Sequence, residues 1–145
     1  MARTKLKLPQ TFVFTTQMQV RVSDVNYAGH LGNDKVLAFM HEARVRFLQS
    51  FGFTELDVEG IGTIMTDAVV VYKSEAFVGD NLAVYVATDD YGEYGCDFIY
   101  KLENQQTNRE VARGKTGLVF YDYDLRKMVK TPAAFLRAVS QKPQG

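Results

Sequence analysis

Residues 24–49 read DVNYAGHLGNDKVLAFMHEARVRFLQ, a segment with two glycines followed by a long amphipathic stretch. Apolar residues recur in that stretch at helical spacing, and polar residues lie opposite them. The spacing predicts a helix from about Asn33 to about Gln49, capped by Asn33 or Asp34 and ended by Gly52. The chain is therefore expected to contain one long helix with a single apolar stripe. The stripe consists of Val36, Met40, Ala43 and Phe47.

Most of the remaining chain has the alternating pattern of strands. Strands are expected at Phe12–Val22, Thr63–Ser74, Leu82–Thr88, Tyr94–Leu102 and about Glu110–Tyr121. Strands that short loops join should pair antiparallel. A short C-terminal helix is expected from Ala133 to Val139, because Pro132 is tolerated in a first helical turn. This order of elements predicts an α+β fold in one domain that spans residues 1–145.

Composition excludes several classes of function. Lysine plus arginine and aspartate plus glutamate number 17 each, so no overall field favours nucleic acid or an anionic membrane. The longest apolar run, Ala68 to Tyr72, is too short to span a bilayer. Cys96 is the only cysteine, which rules out an internal disulfide and favours a reducing cytoplasm. No metal site is expected, because the two histidines are not part of a cluster of metal ligands.

The segment before the helix concentrates groups that can act at a carbonyl carbon. Asp24 offers a carboxylate, and His30 offers an imidazole, the side chain that most often acts as a general base. Asn26 could orient water or a substrate carbonyl. The backbone N–H groups of Gly29 and Leu31 are candidate oxyanion donors, since donors at a helix start favour developing negative charge. The alternatives are an Asx-turn for the carboxylate and a structural hydrogen bond for the imidazole.

Other polar residues leave further alternatives open. Asn33 could contact substrate, although capping is the ordinary role of asparagine at a helix start. Glu42 lies four residues before an arginine, which is the spacing of a stabilising helix pair. Asp67 interrupts an apolar strand and is either a buried functional acid or a solvent-facing residue. The working carboxylate is therefore one of Asp24, Glu42, Asp67 and Glu75.

Several motifs occur together in the order found in one enzyme family. They are Val20-Arg21-Val22-Ser23-Asp24-x-Asn26-x-x-Gly29-His30-Leu31-Gly32-Asn33 with Glu42-Ala43-Arg44, Tyr72-x-x-Glu75-Ala76-x-x-Gly79-Asp80, Val111-Ala112-x-Gly114 through Val119-Phe120, and Arg126 with Pro132. Over about residues 11–139, the expected core, the chain resembles hotdog-fold acyl-CoA thioesterases of the 4-hydroxybenzoyl-CoA thioesterase-like group. The resemblance implies a five-stranded antiparallel sheet wrapped around one long central helix. It also implies a homodimer or homotetramer with active sites at the subunit interface. The implied reaction is hydrolysis of the thioester of acyl-CoA, or sometimes of acyl-acyl carrier protein, without metal or cofactor.

One position departs from the commonest pattern of that family. Many relatives have a catalytic aspartate where this chain has Asn26, which cannot act as base or nucleophile at neutral pH. Plant acyl-carrier-protein thioesterases, which are more distant members, use an aspartate, an asparagine, a histidine and a glutamate. By position, the histidine and the glutamate match His30 and Glu75. The match is partial, because the positions of the aspartate and the asparagine are occupied here by Asn26 and Ala28. We therefore expect Asp24, Asn26, His30 and Glu75 to be catalytic, and Gly29, Leu31 and Asn33 to bind substrate.

Thioester hydrolysis is the expected function, with water activated by His30 together with Asp24 or Glu75. One alternative is a hotdog hydratase or dehydratase, whose signature is Asp-x-Asn-Pro-x-His. Asp24-x-Asn26 followed by His30 resembles that signature, but the proline is absent and the histidine lies one residue further along. The other alternative is a protein that binds acyl thioesters without turnover. Aliphatic and aromatic acyl groups are both compatible with the sequence, as are coenzyme A and carrier protein.

Overall fold

A sheet of six antiparallel strands wraps around a long helix in the computed structural model, which describes residues 3–140. The strands are β1 (Phe14–Gln19), β2 (Gly62–Tyr72), β3 (Asn81–Asp89), β4 (Gly95–Asn104), β5 (Glu110–Asp122) and β6 (Lys127–Met128). The helices are α1 (Asn33–Gln49) and α2 (Ala133–Val139), and a 3₁₀ turn covers Val22–Asp24. The expected α+β hotdog fold is confirmed, but the sheet has one strand more than expected. β6 was missed because two residues are too short for an alternating pattern.

The start of α1 differs from the prediction. Its N-cap is Gly32, which has an extended backbone, and no side chain caps the helix. The carbonyl of Gly32 accepts the N–H groups of Lys35 and Val36. Asn33 and Asp34 are therefore the first two helical residues rather than caps. The helix ends as predicted, because Gly52 adopts a φ of 81° just beyond it.

The order of strands in the sheet is β1-β3-β4-β5-β2, and β6 pairs with the end of β5. As expected for strands joined by short loops, β3 pairs with β4 and β4 pairs with β5. The same expectation is wrong for β2 and β3, which do not pair with each other. β2 instead forms a long antiparallel ladder with β5, from Gly62 opposite Tyr121 to Tyr72 opposite Ala112. The connection between β2 and β3 must then cross three strand spacings, about 14 Å. That crossing takes it past the start of α1.

The core lies between the concave face of the sheet and α1. Phe47 of α1 packs edge-to-face on Phe98 of β4 with ring centroids 5.7 Å apart, and Phe135 of α2 packs on Phe120 at 5.0 Å. Each buried aromatic of this size contributes about 1.5–3 kcal/mol to stability. The contact between Phe47 and Phe98 anchors α1 on the sheet. No helix within residues 3–140 is long and apolar enough to cross a membrane.

A buried polar network also ties α1 to the sheet. The Arg44 side chain is 6% exposed; it donates to Glu55 at 3.1 Å and to the Tyr100 hydroxyl at 3.0 Å. That hydroxyl also contacts Thr116 Oγ1 at 2.8 Å, and burial raises the pKa of Tyr100, which favours the neutral phenol. Glu55 accepts a further contact from His41 at 2.6 Å. His41 is therefore occupied by a structural partner.

Candidate active site

The loop between the 3₁₀ turn and α1 is held by the side chain of Asn26. Its Oδ1 accepts the backbone N–H groups of Ala28 at 3.0 Å and His30 at 3.2 Å. The backbone N–H of Asn26 donates to the carbonyl of His30 at 2.8 Å, and Gly29 allows the turn with a φ of 83°. The carboxamide thus closes a tight loop that fixes the backbone of the histidine.

The connection between β2 and β3 forms the opposite wall of the site. Leu31 donates its N–H to the carbonyl of Ala76 at 2.8 Å, and His30 forms an antiparallel bridge with Phe77. The imidazole packs edge-on against the Phe77 ring with centroids 5.2 Å apart. This pairing places Glu75 Oε1 3.5 Å from Nδ1 of His30. The crossing connection therefore brings a carboxylate to the histidine from a distant part of the chain.

The pair of His30 and Glu75 is accessible to a ligand. Their side chains are 36% and 62% exposed, respectively. An ion pair this exposed stabilises the fold by at most about 1 kcal/mol. A ligand that excludes water would strengthen the same interaction. Within residues 3–140, no group of three or more histidine, cysteine or acidic side chains could hold a metal ion.

A cleft of about 330 Å³ opens beside this pair at the start of α1. Both polar and apolar residues line the cleft. The polar ones include Asn26, His30, Asn33 and Glu75, and the apolar ones include Leu31, Val36, Ala76 and Val111. The backbone N–H groups of Asn33 and Asp34 have no hydrogen-bond acceptor within residues 3–140. The cleft thus combines an imidazole, a carboxylate and free donors at the positive end of a helix.

Comparison with known proteins identifies the family. The model of the thioesterase-like superfamily matches residues 20–139. The chain belongs to the thioesterase-like superfamily. A comparison with curated proteins finds no match.

Solved structures of thioesterases and related proteins share the fold. The 1,4-dihydroxy-2-naphthoyl-CoA thioesterase of Synechocystis is 21% identical with a TM-score of 0.82, over 91% of this chain and 98% of that chain. The DHNA-CoA thioesterase of Staphylococcus aureus is 21% identical with a TM-score of 0.77, over 87% of each chain. A hypothetical protein of Staphylococcus aureus, solved in complex with CoA, is 14% identical with a TM-score of 0.81, over 97% of this chain and 91% of that chain. At these identities the similarity establishes the hotdog fold.

Three of the candidate carboxylates lie outside the cleft of this thioesterase-like protein. The buried Asp24 carboxylate accepts the backbone N–H of Arg21 at 2.9 Å and lines a separate groove with Glu42. Glu42 pairs with the arginine one helical turn later. Asp67 is exposed on β2, where a hydrogen bond from Lys115 at 2.6 Å holds the pKa of its carboxyl below the usual value. Glu75 is the carboxylate that the structure places beside the histidine.

The expected oxyanion donors are engaged within the loop. The N–H of Gly29 donates to the carbonyl of Asn26 at 2.9 Å, and the N–H of Leu31 donates to the connection between β2 and β3. Two donors on the cleft-lining residues Asn26 and Asn33 face no acceptor within residues 3–140. The first is the Nδ2 amide of Asn26, whose side chain bonds the loop through Oδ1 alone. The second is the backbone N–H of Asn33, a residue that the sequence predicts to cap the helix or to contact substrate.

Tyr72 also lines the cleft, and the sequence pattern alone indicates no role for it. Its hydroxyl donates to the carbonyl of Asn33 at 3.1 Å and so ties the end of β2 to the start of α1. The residue was visible in the sequence as the first position of the family motif that contains Glu75. A tyrosine at the end of a strand does not by itself indicate a functional role. The contact with the start of α1 depends on the fold and is not visible in the sequence.

Proposed function

We propose that this protein hydrolyses the thioester of an acyl-CoA to a carboxylic acid and a free thiol. The observation that carries the proposal is the 3.5 Å pairing of His30 Nδ1 with Glu75, next to free donors at the start of α1. Membership of the thioesterase-like superfamily supports the same class of reaction. Two structural neighbours are named as CoA thioesterases, and a third was solved with CoA, which supports coenzyme A as the thiol.

Glu75 and His30 together activate water in the proposed mechanism. With substrate bound, the Glu75 carboxylate, which lies 3.5 Å from Nδ1 in this structure, accepts a hydrogen bond from the Nδ1–H of the imidazole, and the lone pair on Nε2 is then available. Nε2 removes a proton from water as the water oxygen attacks the acyl carbon. A carbon–oxygen bond forms, and the π electrons of the carbonyl move onto its oxygen. The Glu75 carboxylate also stabilises the imidazolium that results.

The tetrahedral intermediate is stabilised by the donors at the helix start. The Nδ2 amide of Asn26 and the backbone N–H of Asn33 donate to the oxyanion, and the helix dipole adds a favourable field. When the carbonyl re-forms, the carbon–sulfur bond breaks and the imidazolium of His30 returns its proton to the thiolate. Water thus supplies the hydroxyl of the acid and the hydrogen of the thiol.

The apolar residues of the cleft are the proposed seat of the acyl group. Leu31, Val36 and Val111 line the same cleft as the polar groups, so an acyl chain can pack against them while its carbonyl faces the helix start. Burial of each methylene contributes about 0.8 kcal/mol to binding. Aliphatic and aromatic acyl groups are both candidates for this seat.

We further propose that two copies of the chain pair as a homodimer, alone or within a homotetramer. Within the described residues, β2 is paired on one side only, with β5, and its Met65 is 49% exposed. A long, open strand edge with apolar residues favours pairing with a second chain. Light scattering should therefore give a mass of two or four chains, whereas a monomer would contradict this assembly.

A thiol-release assay over a panel of aliphatic and aromatic acyl-CoAs tests the proposed reaction. We expect turnover of at least one ester, and a loss of kcat of about a hundredfold or more in His30→Ala. His41→Ala is the matched control, because this second histidine contacts Glu55 rather than the cleft. Full activity of His30→Ala would overturn the mechanism. Binding of CoA with no turnover of any ester in the panel would overturn the proposed hydrolysis and indicate a binding protein. Consumption of a 2-enoyl-CoA without thiol release would also overturn it and indicate a hydratase.

A further inference from the structure

A second groove adjoins the cleft and is rich in cations. It has a volume of about 1040 Å³ and lies between the N-terminal residues 3–7 and the end of β2. Tyr72 and Lys73 line both this groove and the cleft that holds His30. A ligand whose reacting end lies at the histidine can therefore continue into the groove. We call it the basic groove and define it by Arg3, Lys5, Lys7 and Lys73.

The four cations of the basic groove have no ion-pair partner in the part of the chain that the structure describes. None of them lies within 4.0 Å of a carboxylate there. The whole chain has no net charge, so this is a local excess of positive charge. A concave surface lined by one sign of charge attracts a ligand of the opposite sign. The basic groove is therefore suited to an anion with several charges.

A fifth cation, Arg113, holds the N-terminal segment in place. Its guanidinium makes two 2.6 Å contacts with Glu110, which neutralise and orient it. Its remaining terminal nitrogen donates to the carbonyl of Leu6 at 2.8 Å. Lys5 and Lys7 flank that anchored residue in the sequence. The hydrogen bond from Arg113 therefore holds the segment against β5 between Lys5 and Lys7.

We propose that the basic groove binds the phosphates in the nucleotide part of coenzyme A. The inference rests on the proposed function and makes CoA thioesters, rather than carrier-protein thioesters, the substrate class. The nucleotide part carries a diphosphate and a 3′-phosphate, with about four negative charges at neutral pH. Its narrow shape fits a groove that continues from the cleft. A carrier protein presents one phosphodiester on a folded body, which requires a broad docking surface instead.

Binding of free CoA, measured by titration calorimetry, tests the groove without any chemical step. The test variant is Lys5→Ala/Lys7→Ala, and the matched control is Lys127→Ala/Lys130→Ala, which removes two exposed charges near β6. We expect the Kd for CoA to rise by about tenfold or more in the test variant only. Added salt should weaken binding to the wild type more than binding to the test variant. Equal Kd values for wild type and test variant would overturn the inference.

Kinetics with two thioesters separate this inference from the proposed function. The test variant should raise KM for acyl-CoA and leave kcat/KM unchanged for the same acyl group on N-acetylcysteamine, which has no phosphate. If the wild type hydrolyses neither ester but CoA binding still depends on the lysines, the proposed function fails and the groove stands. If the wild type hydrolyses acyl-CoA and the test variant keeps its KM, the inference fails and the function stands. A loss confined to an acyl carrier protein substrate would also overturn it.

Discussion

Replacing Asn26 by aspartate separates the two roles assigned to this side chain. Its Oδ1 fixes the loop by accepting the N–H groups of Ala28 and His30, at 3.0 and 3.2 Å. Its Nδ2 is the proposed donor to the oxyanion. Aspartate keeps an oxygen for the two loop N–H groups and replaces the amide nitrogen with a second carboxylate oxygen. Asn26→Asp should therefore preserve the loop and remove the donor.

The expected loss of activity follows from the number of donors removed. Loss of one oxyanion donor lowers kcat by about 10²–10³, or about 2.7–4 kcal/mol. Because the new carboxylate also repels the developing negative charge, we expect the upper part of that range. The free energy of unfolding should change by less than about 0.5 kcal/mol, since Asn26 is exposed and its loop contacts are retained. Asn26→Ala should lower kcat similarly but also destabilise the loop by about 1 kcal/mol.

The assay is thiol release at saturating acyl-CoA, combined with thermal unfolding of each variant. Asn108→Asp is the control, because this exposed asparagine lies in the loop between β4 and β5 and its side chain makes no hydrogen bond within residues 3–140. A kcat for Asn26→Asp that equals or exceeds the wild-type value would refute the reasoning. It would mean that a carboxylate at this position takes part in the reaction.

Three further predictions concern the scaffold. Arg44→Ala should destabilise the protein by about 2–3 kcal/mol in denaturant unfolding, because Glu55 and the buried Tyr100 phenol each lose a hydrogen bond and keep only their contacts with His41 and Thr116; a loss below about 1 kcal/mol would contradict this. Gly95→Ala should cost about 3 kcal/mol or more, since its Cβ would lie 1.9 Å from a backbone carbonyl of β5; wild-type thermal stability would show that the strands can separate there. Cys96 should resist thiol reagents at pH 8 until the protein unfolds, because burial raises its pKa to about 12; rapid labelling of the native protein would disprove this.

The elements of this fold were predictable because helical and strand periodicity are local properties of the sequence. The predicted α1 and α2 agree with the observed helices, and the five longer strands were located within a few residues at most ends. The sheet order was not predictable in the same way. Pairing of β2 with β5 joins segments that are distant in the chain, and a pattern of alternation does not specify the partner strand.

The candidate site was predictable in composition but not in geometry. The sequence placed His30 and Asn26 in one loop, and the family motif added Glu75, but nothing local showed that the connection after β2 crosses to that loop. The sequence also could not show which N–H groups are available to an oxyanion, because that depends on hydrogen bonds made in the folded loop. The N–H groups of Gly29 and Leu31 donate to backbone carbonyls, whereas the Nδ2 amide of Asn26 has no acceptor among residues 3–140.

The most direct test of the central claim is a double-mutant cycle between His30 and Glu75, with kcat for acyl-CoA hydrolysis as the measured quantity. If the carboxylate acts through the imidazole, the effects of the two changes are strongly non-additive. His30→Ala/Glu75→Gln should then be about as slow as His30→Ala alone. A double variant whose loss equals the product of the two single losses would contradict a joint role in activating water.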